Sequence, residues 1–288
     1  MLFGICPTPR PWWQSRKQLH NWVVLVEDLD FDGIFMPDHH MLPFMSNNLL
    51  DAWTMLSYFA ALTSRIRLGS DVSPVPRWIP SHLAKVIATV DYISGGRVIA
   101  GLGVGTVPEE FINYSTGWDE APVRFEKFKE GLEIILRLWT EDKVTFEGKY
   151  YKLKDAVLLP KPLQKPHPPL WCGGLRRRML EVAARFFDGW VFPRLVPGAS
   201  LPPEEFEKRV KIIERYAREH NRELKNFTFA VLGSITDTAE IIEAFRNAGC
   251  QYYIVELFKG PGLTNPFSPN EYVDVTKRFA RDIIPSFK

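Results

Sequence analysis

The sequence predicts an α/β fold, a (β/α)8 TIM barrel. Short apolar runs alternate with longer amphipathic stretches, which is typical of parallel strands that are each followed by a covering helix, and eight such pairs can be counted. An open dinucleotide-binding sheet would usually carry a glycine-rich loop after its first strand, and none follows Cys6. We therefore expect one domain over residues 1–288, since single barrels of roughly 250 residues are common.

The predicted strands are short apolar runs bounded by polar residues or glycine. They are expected at residues 2–6, 33–37, 67–75, 97–102, 170–172, 189–192, 227–232 and 251–257. In a parallel barrel the carboxyl ends of all strands open into one mouth, where catalytic and binding residues gather. Functional side chains are therefore expected at the carboxyl ends of these strands.

The predicted helices follow the strands and carry apolar residues three and four positions apart. Leu19, Trp22 and Val26 share one face of the first helix. Asp51 is a suitable N-cap for the second helix, and the glycines at 95–96 end the third. The helices are expected at or near residues 19–29, from 51 onwards, 81–94, 128–139, 177–187, 203–220, 237–248 and 270–284.

Residues 143–169 interrupt this rhythm between the fourth helix and the fifth strand. A short hairpin is expected around Glu147 and Gly148, followed by a proline-rich extended segment, because proline removes a backbone donor and disfavours helix before it. The alternation of strand and helix resumes directly afterwards. The segment is therefore interpreted as an insertion into the barrel and not as a domain boundary.

The composition excludes several classes of protein. The formal charge of +2 gives no electrostatic reason to expect nucleic acid or a membrane as a partner, and 45% apolar with 24% charged residues is ordinary for a globular protein. No apolar run approaches the ~20 residues of a membrane helix, and the first residues lack a signal-peptide pattern, so a cytoplasmic protein is expected. The three cysteines, odd in number and far apart, favour a reducing compartment.

The sharpest motif is Asp38-His39-His40 at the end of the second strand. An imidazole titrates near neutral pH and can give or take a proton, and an adjacent carboxylate can fix its tautomer. The alternative is a capped strand end whose two rings only pack or are solvated. No metal ligand is assigned, because the other histidines do not fall at strand ends.

A second motif follows the fifth strand, where Gly173 and Gly174 precede three arginines that begin at Arg176. Glycines let the backbone approach a ligand, and the N-terminus of the next helix presents free N–H groups to an anion. Three arginines oppose the helix dipole, so a negative group is expected to compensate them. A phosphate-bearing cofactor is the preferred interpretation, and a solvated basic face is the alternative.

Other candidates lie at the ends of three further strands. Gly105 and Thr106 follow the fourth strand, in a segment that lacks the final glycine of the dinucleotide fingerprint, and Thr106 could hydrogen-bond a ligand. Ser70 and Asp71 lie within the third strand, and Arg194 follows the sixth.

Aromatic residues in the first three loops predict an apolar pocket wall for a small-molecule substrate. Trp13 lies in the first loop, Phe44 in the second and Trp78 in the third, with His40 and Glu109 also expected at the mouth. Any one of these aromatic side chains is more often simply packed.

These residues together resemble the bacterial luciferase-like superfamily, and the resemblance covers nearly the whole chain. It rests on FDGIFMPDHH (31–40), the stretch from LTSRIRLGSDV to GGRVIAGLGVG (62–105), EEF (109–111), RFEKFKEGLEIILRLW (124–139), VTFEGKYYKL (144–153), PHPPLWCGG (166–174) and FFDGW (186–190). The resemblance implies a barrel with an inserted segment. It also implies a cofactor, which is either FMN or coenzyme F420, an 8-hydroxy-5-deazaflavin.

The Asp-His pair is similar to that of the deazaflavin-dependent branch. The resemblance implies that His39 exchanges a proton with the substrate while hydride moves to or from the ring, and that Asp38 orients or charges His39. The glucose-6-phosphate dehydrogenases of this branch place a catalytic glutamate near Thr106, in a segment that reads GVGTVPEE here. Glu109 and Glu110 lie nearby, and Glu110 matches a glutamate shared across the superfamily.

The resemblance further implies a non-prolyl cis peptide at Asp71–Val72, whose backbone supports one face of the ring. Gly173, Gly174 and the arginine cluster would hold the cofactor phosphate, with Arg176 as the first choice. The remaining cofactor contacts are expected from Ser70, Gly105, Thr106 and Arg194.

The preferred function is hydride transfer between a deazaflavin and a small organic substrate. The alternative is an FMN-dependent monooxygenase supplied with reduced flavin by a separate reductase. A metal-dependent barrel hydrolase built on residues 38–40 and a non-catalytic flavin-binding protein are less favoured. Because dimers are common in the superfamily, a homodimer is expected.

Overall fold

The structure is a computed structural model that describes residues 1–7, 15–43, 49–196, 199–258 and 267–288. The described residues include eight parallel strands that form one barrel. These are Leu2–Cys6 (β1), Gly33–Met36 (β2), Arg67–Ser70 (β3), Val98–Gly103 (β4), Leu170–Gly173 (β5), Gly189–Pro193 (β6), Thr228–Ser234 (β7) and Tyr252–Glu256 (β8).

The strands close into a barrel because each pairs in parallel with two neighbours. β1 lies between β2 and β8, β3 pairs with both β2 and β4, and β4 to β8 follow in chain order. The predicted (β/α)8 barrel is therefore confirmed. The extent of the single domain, residues 1–288, stays a prediction.

Eight helices of nine or more residues lie between or after the strands in the described part of the chain. They are Arg16–Asp28 (α1), Ala52–Leu62 (α2), Pro80–Ser94 (α3), Ala121–Thr140 (α4), Arg177–Phe186 (α5), Pro203–Glu219 (α6), Ala239–Asn247 (α7) and Pro269–Asp282 (α8). The Asp51 carboxylate accepts a hydrogen bond from Thr54 N at 2.8 Å, as expected for an N-cap. α3 ends at Gly95, whose φ of 72° is the left-handed conformation that favours glycine.

Several shorter elements complete the described chain. A helix at Pro108–Ile112 follows β4, and two short strand pairs join Val144–Glu147 with Lys152–Ala156 and Leu195–Val196 with Ala199–Ser200. The first of these pairs is the hairpin expected around Gly148 within the insertion at 143–169. A further strand, Ser73–Pro74, and two 3-10 helices, Val75–Arg77 and Ile284–Ser286, are also present.

Three aromatic rings fill the inside of the barrel. Phe35 stacks on Trp171 with ring centroids 5.6 Å apart, and the Tyr252 ring meets both edge-on at 5.6 and 5.3 Å. The space for these rings comes from glycines on neighbouring strands: a Cβ atom at Gly69 would lie 2.4 Å from the Phe35 ring, and one at Gly189 would lie 2.6 Å from Trp171. The three rings therefore close the lumen below the mouth.

The third strand is shorter than predicted. Residues 67–75 were expected to form one strand, but β3 ends at Ser70 and a cis peptide joins Asp71 to Val72. Ser73–Pro74 then pairs with β4, and a 3-10 helix at Val75–Arg77 follows. The apolar run misled the prediction because it continues through this change of direction, whereas the cis peptide implied by the resemblance is present.

Candidate active site

The loops after β2, β3 and β4 bring four ionisable side chains together at the carboxyl end of the barrel. His39 follows β2, Arg77 ends the 3-10 helix after β3, and Glu110 lies on the short helix after β4. Asp38 completes the set. Arg77, Asp38 and Glu110 are buried, with side chains 1–2% exposed, whereas the side chain of His39 is 27% exposed.

The ring of His39 is held by Glu110. Its Nδ1 lies 2.9 Å from Glu110 Oε2. Because an ionised carboxylate can only accept hydrogen bonds, the ring donates from Nδ1, and Nε2 is the nitrogen that carries the lone pair in the neutral ring. Nε2 has no partner among the described residues, so it is available for proton transfer.

Arg77 joins the two carboxylates of the site. Its Nη1 donates to Glu110 Oε1 at 2.8 Å, and its Nη2 donates to the Asp38 carboxylate and to the Asp38 backbone oxygen. The other oxygen of Asp38 accepts a hydrogen bond from Trp78 Nε1 at 3.0 Å. Asp38 is therefore fully engaged by Arg77 and Trp78.

The surroundings keep Glu110 ionised and His40 neutral. Burial would raise the pKa of Glu110, but the hydrogen bond and charge of His39, the charge of Arg77 and the N–H of His40 outweigh it, so this pKa lies below its usual range. Burial, followed by the charge of Arg77, lowers the pKa of His40. At neutral pH, Glu110 therefore presents a fixed negative charge to the His39 ring.

The structure corrects the expected partner of His39. Asp38 was expected to orient this ring, but Glu110 contacts it, while Asp38 binds Arg77. Arg77 was not predicted, because it lies two residues beyond the strand expected at residues 67–75 and belongs to none of the motifs that indicated a site. Its burial shows only in the fold, where it is paired with two carboxylates, as buried arginines usually are.

The backbone around the cis peptide forms one wall of the lumen. The side chain of Val72 faces glycines on β4 and β5: a Cβ atom at Gly103 would lie 2.6 Å from it, and one at Gly173 would lie 3.8 Å away. A Cβ atom at Gly101 would lie only 1.8 Å from the Ser70 carbonyl oxygen. The glycines therefore leave room for the Val72 side chain, which covers this part of the wall.

The hydroxyl group of Ser70, which was expected to contact a ligand, is hydrogen-bonded to the backbone of β4. Its hydroxyl donates to Gly101 O at 2.8 Å and accepts from Gly101 N at 3.1 Å, so it bridges β3 to β4 where their regular pairing ends. Asp71, in contrast, has an oxygen, Oδ2, that is buried and has no hydrogen-bond partner among the described residues. Buried polar atoms are usually paired, so this oxygen is open to a ligand.

The loop after β5, where a phosphate is expected to bind, leads directly into α5. Gly174 has a φ of 108°, and α5 begins directly after Arg176. The Arg177 guanidinium donates to the Tyr216 hydroxyl, and Arg178 lies over the Phe125 ring, whereas the guanidinium of Arg176 is exposed and has no partner among the described residues. Arg176 is therefore the arginine of this cluster that is free to bind an anion.

The other predicted cofactor residues are less available. Arg194 forms an ion pair with Asp237 at 2.9 Å, and both side chains are nearly buried, so its charge is already compensated. Gly105 has a φ of 81°, and a Cβ atom there would lie 2.6 Å from the Phe111 ring. Thr106 is exposed beside it.

The expected substrate pocket is described only in part. Trp78 is half-buried, and its N–H binds Asp38. The ring of His40 lies 4.9 Å from that of Tyr114. Glu109 lies on the short helix but is not the glutamate that contacts His39. The predicted contributions of Trp13 and Phe44 fall outside the described residues.

Neither a metal centre nor a membrane-spanning helix is found in the part of the chain that the structure describes. No group of three His, Cys, Asp or Glu side chains there is arranged to hold a metal ion. No helix there is both long enough and apolar enough to cross a membrane. The cysteines Cys6, Cys172 and Cys250 are buried and free.

Comparison with known proteins links this geometry to a family. The family model described as luciferase-like monooxygenase matches residues 4–261. An F420-dependent glucose-6-phosphate dehydrogenase of Microbacterium testaceum is 34% identical over 178 residues, which are 61% of this chain and 52% of that protein. An FMNH(2)-dependent dimethylsulfone monooxygenase of Pseudomonas putida is 32% identical over 147 residues, 51% of this chain and 40% of that protein.

The chain spans about half the length of the first of these relatives and less of the second. Among solved structures, an F420-dependent secondary alcohol dehydrogenase in complex with an F420-acetone adduct superimposes with a TM-score of 0.80. The sequence identity is 19%, and the match covers 100% of this chain and 99% of the other. This similarity establishes a common fold.

Proposed function

The chain belongs to the luciferase-like monooxygenase family, and we propose that it is an oxidoreductase that transfers hydride between a deazaflavin coenzyme of the F420 type and a small organic substrate. The observation that carries the proposal is the His39–Glu110 contact. It leaves one imidazole nitrogen free at the mouth of the barrel, backed by a buried carboxylate that Arg77 holds in place.

The residues present fit the proposed cofactor. The wall formed by Val72 and the glycines of β4 and β5 suits a flat ring, and the buried Oδ2 of Asp71 lacks a partner among the residues that the structure describes. Arg176 and the N-terminus of α5 suit a phosphate. When bound, the ring supplies the hydride chemistry, and the protein supplies positioning and electrostatics.

The role proposed for His39 is to hold or move a proton at Nε2. In the direction of substrate oxidation, neutral His39 accepts the proton of a substrate hydroxyl as hydride leaves the carbon. The imidazolium that forms is stabilised by the Glu110 carboxylate at 2.9 Å. Asp38 acts through Arg77, which it keeps oriented toward Glu110.

An FMN-dependent monooxygenase is the second candidate, and the similarity to the dimethylsulfone monooxygenase favours it. The phosphate site after β5 suits FMN as well as a deazaflavin, since both carry a phosphate beyond the ring. This function would require reduced FMN from a separate reductase. That partner and the expected homodimer stay predictions.

A fluorescence titration of the purified protein with F420 and, in parallel, with FMN tests the proposal. We expect F420 to bind more tightly, and substrate to change its absorbance once bound. Preference for FMN, with oxygen consumption when reduced FMN is added, would favour the monooxygenase. Binding of neither cofactor would contradict both.

A further inference from the structure

Three ionisable side chains line the lumen at the carboxyl ends of β1, β3 and β8. Cys6 packs in the same interior cluster as Phe35 and Tyr252. Alternate residues of a strand face the same side, so Glu256 faces the lumen together with Tyr252 and Ile254 of β8. Glu256 was not predicted from the sequence as a site residue.

The same alternation places Asp71 on the lumen side of β3. Gly69 faces the lumen, because a Cβ atom there would meet the Phe35 ring, and Asp71 is two residues further on. The N–H of Asp71 donates to Met36 O at 2.9 Å, which fixes its backbone beside β2. Asp71 and Glu256 therefore occupy the same level of the lumen, above the three aromatic rings.

The two carboxyl groups interact electrostatically. Burial, followed by the charge of Asp71, raises the pKa of Glu256 to about 8. Burial raises the pKa of Asp71 to about 6, although the nearby His39 opposes the shift. Burial, then the two acids, raises the pKa of the Cys6 thiol well above its usual range, so this thiol stays protonated.

Both side chains lack hydrogen-bond partners within the described protein. Asp71 Oδ2 is buried and unpaired, and the carboxyl group of Glu256 has no hydrogen bond to any described residue. Val72, whose side chain lies over the glycines of β4 and β5, directly follows Asp71 in the chain. A flat ligand that packs on Val72 would therefore lie beside Asp71, and Glu256 faces the same lumen.

We propose that Asp71 and Glu256 hold one proton between them at neutral pH and bind the ligand ring from inside the barrel. The protonated carboxyl donates one hydrogen bond, and the ionised carboxyl accepts another. This pair is complementary to a heterocycle that carries a C=O group beside an N–H group, as in the pyrimidine part of flavins and deazaflavins. The ligand-binding half of this inference rests on the cofactor site proposed above.

The proposal makes ligand affinity depend on pH. The groups that face the pair are Cys6 from β1, His39 from the loop after β2, and the two acids themselves on β3 and β8. On β7, Ser234 is paired in register with Glu256 and carries an uncharged hydroxyl group. Once the shared proton is lost, the donor disappears and two negative charges face the ring, so affinity falls as pH rises.

The first test compares the wild type with Glu256→Gln, whose amide keeps a donor and an acceptor but cannot ionise. We expect the Kd of FMN and of F420 for the wild type to rise by roughly tenfold per pH unit above about pH 8, and to rise less for Glu256→Gln. Titration of the ligand itself cancels in the ratio of the two proteins at each pH. Equal pH dependence in both proteins would overturn the proposal.

Glu147→Gln is the matched control, because this exposed glutamate lies on the hairpin and pairs only with Lys152. It should follow the wild type at every pH. Circular dichroism and thermal melting check that Glu256→Gln is folded. If Glu147→Gln also removes the pH dependence, the effect does not belong to the pair.

The second test detects the shared proton without any ligand. Infrared spectra of the ligand-free wild type at neutral pH should show the C=O band of a protonated carboxyl group, which Glu256→Gln removes. Asp71→Asn should lower the pH at which this band disappears, because a negative neighbour has been removed. Absence of the band from the wild type would overturn the proposal that Asp71 and Glu256 share a proton. If the band is present but neither cofactor binds at pH 7, the proposed function fails while the carboxyl pair stands.

Discussion

Arg77 is the single residue that holds the other side chains of the candidate site in place. One buried cation pairs with two buried carboxylates, Asp38 and Glu110, and so positions the ring of His39 indirectly. A buried carboxylate that loses its counter-ion is costly, so this arrangement depends on the arginine more than on any other side chain.

Replacement of Arg77 should therefore destabilise the protein. We expect Arg77→Gln to lower the free energy of unfolding by about 3–5 kcal/mol, because both carboxylates lose their partner. Arg281→Gln is the control, since the side chain of Arg281 is 76% exposed and pairs with the neighbouring Asp282 on the surface, so its loss should change the free energy of unfolding very little. Urea unfolding measures both. A similar small loss in the two variants would contradict the structural role of Arg77.

Replacement of His39 should affect turnover and not cofactor binding. We expect His39→Asn to lower kcat by about 10²- to 10⁴-fold, the range of a lost acid-base group, while the Kd of the cofactor changes little. His20→Asn, on the exposed face of α1, should retain full activity. Steady-state kinetics and a fluorescence titration separate the two effects. Normal turnover of His39→Asn would remove this residue from the reaction.

The sequence located some of these residues but not their partners. Asp38 and His39 were found because they end an apolar run and carry titratable groups. Arg77 was missed because it lies just beyond the expected third strand and outside the motifs, and Glu256 was missed because it lies within a run interpreted only as a strand. For Glu256, the alternation of β8 could have revealed an acid facing the lumen, but only after closure of the barrel was known.

At the scale of secondary structure, the candidate site depends on the N-terminus of one helix and on the close approach of two strands. α5 presents its N-terminus beside Gly174, and only Arg176 of the three arginines there is unpaired within the described chain. β4 approaches the carbonyl of Ser70 so closely that Gly101 has no room for a side chain.

Arg176→Ala should weaken cofactor binding. A hydrogen bond to a charged group contributes about 1.5–3 kcal/mol, so we expect the Kd of the cofactor to rise by roughly 10- to 100-fold. Arg185→Ala, near the other end of the same helix, should leave the Kd unchanged. An unchanged Kd in Arg176→Ala, measured by fluorescence quenching, would refute the phosphate assignment.

Gly101→Ala should destabilise the fold, whereas Gly173→Ala should not. The new methyl group would lie 1.8 Å from a backbone oxygen in the first variant and 3.8 Å from Val72 in the second. Overpacking of a core costs about 1–3 kcal/mol. Thermal unfolding of both variants checks this difference. Equal stability would mean that β3 and β4 can separate without penalty.

Prediction from sequence was accurate for most elements and failed at one. Asp51 and the glycines at 95–96 carry their cap chemistry in the sequence, so α2 begins and α3 ends as expected. β3 was extended too far, because the residues after the cis peptide remain apolar. Only the resemblance to known proteins supplied that peptide.

Protonation links the buried acids to the stability of the whole molecule. The pKa values of Glu256 and Asp71 are raised to about 8 and about 6, whereas acids of an unfolded chain titrate near their ordinary values of about 4. Between those limits the folded protein binds more protons than the unfolded chain. Stability should therefore fall as pH rises through about 4 to 8 and then level off.

Urea unfolding at several pH values tests this linkage. We expect the wild type to lose up to about 1.4 kcal/mol per pH unit relative to Glu256→Gln between pH 5 and 8, because the variant lacks one of the titrating groups. Glu110 has the opposite sign: its pKa is lowered, so its contribution is lost only as pH falls below the usual range of a glutamate. Parallel curves for the two proteins would contradict the raised pKa of Glu256.

The three packed rings of Phe35, Trp171 and Tyr252 close the barrel lumen below its mouth. With the lumen closed by these rings, the carboxyl pair faces the mouth, which a cofactor bound as proposed would cover. A proton held by Asp71 and Glu256 would then be shielded from solvent for as long as the ligand stays. Its exchange with solvent should be limited by the departure of the ligand and not by the acidity of the carboxyl groups.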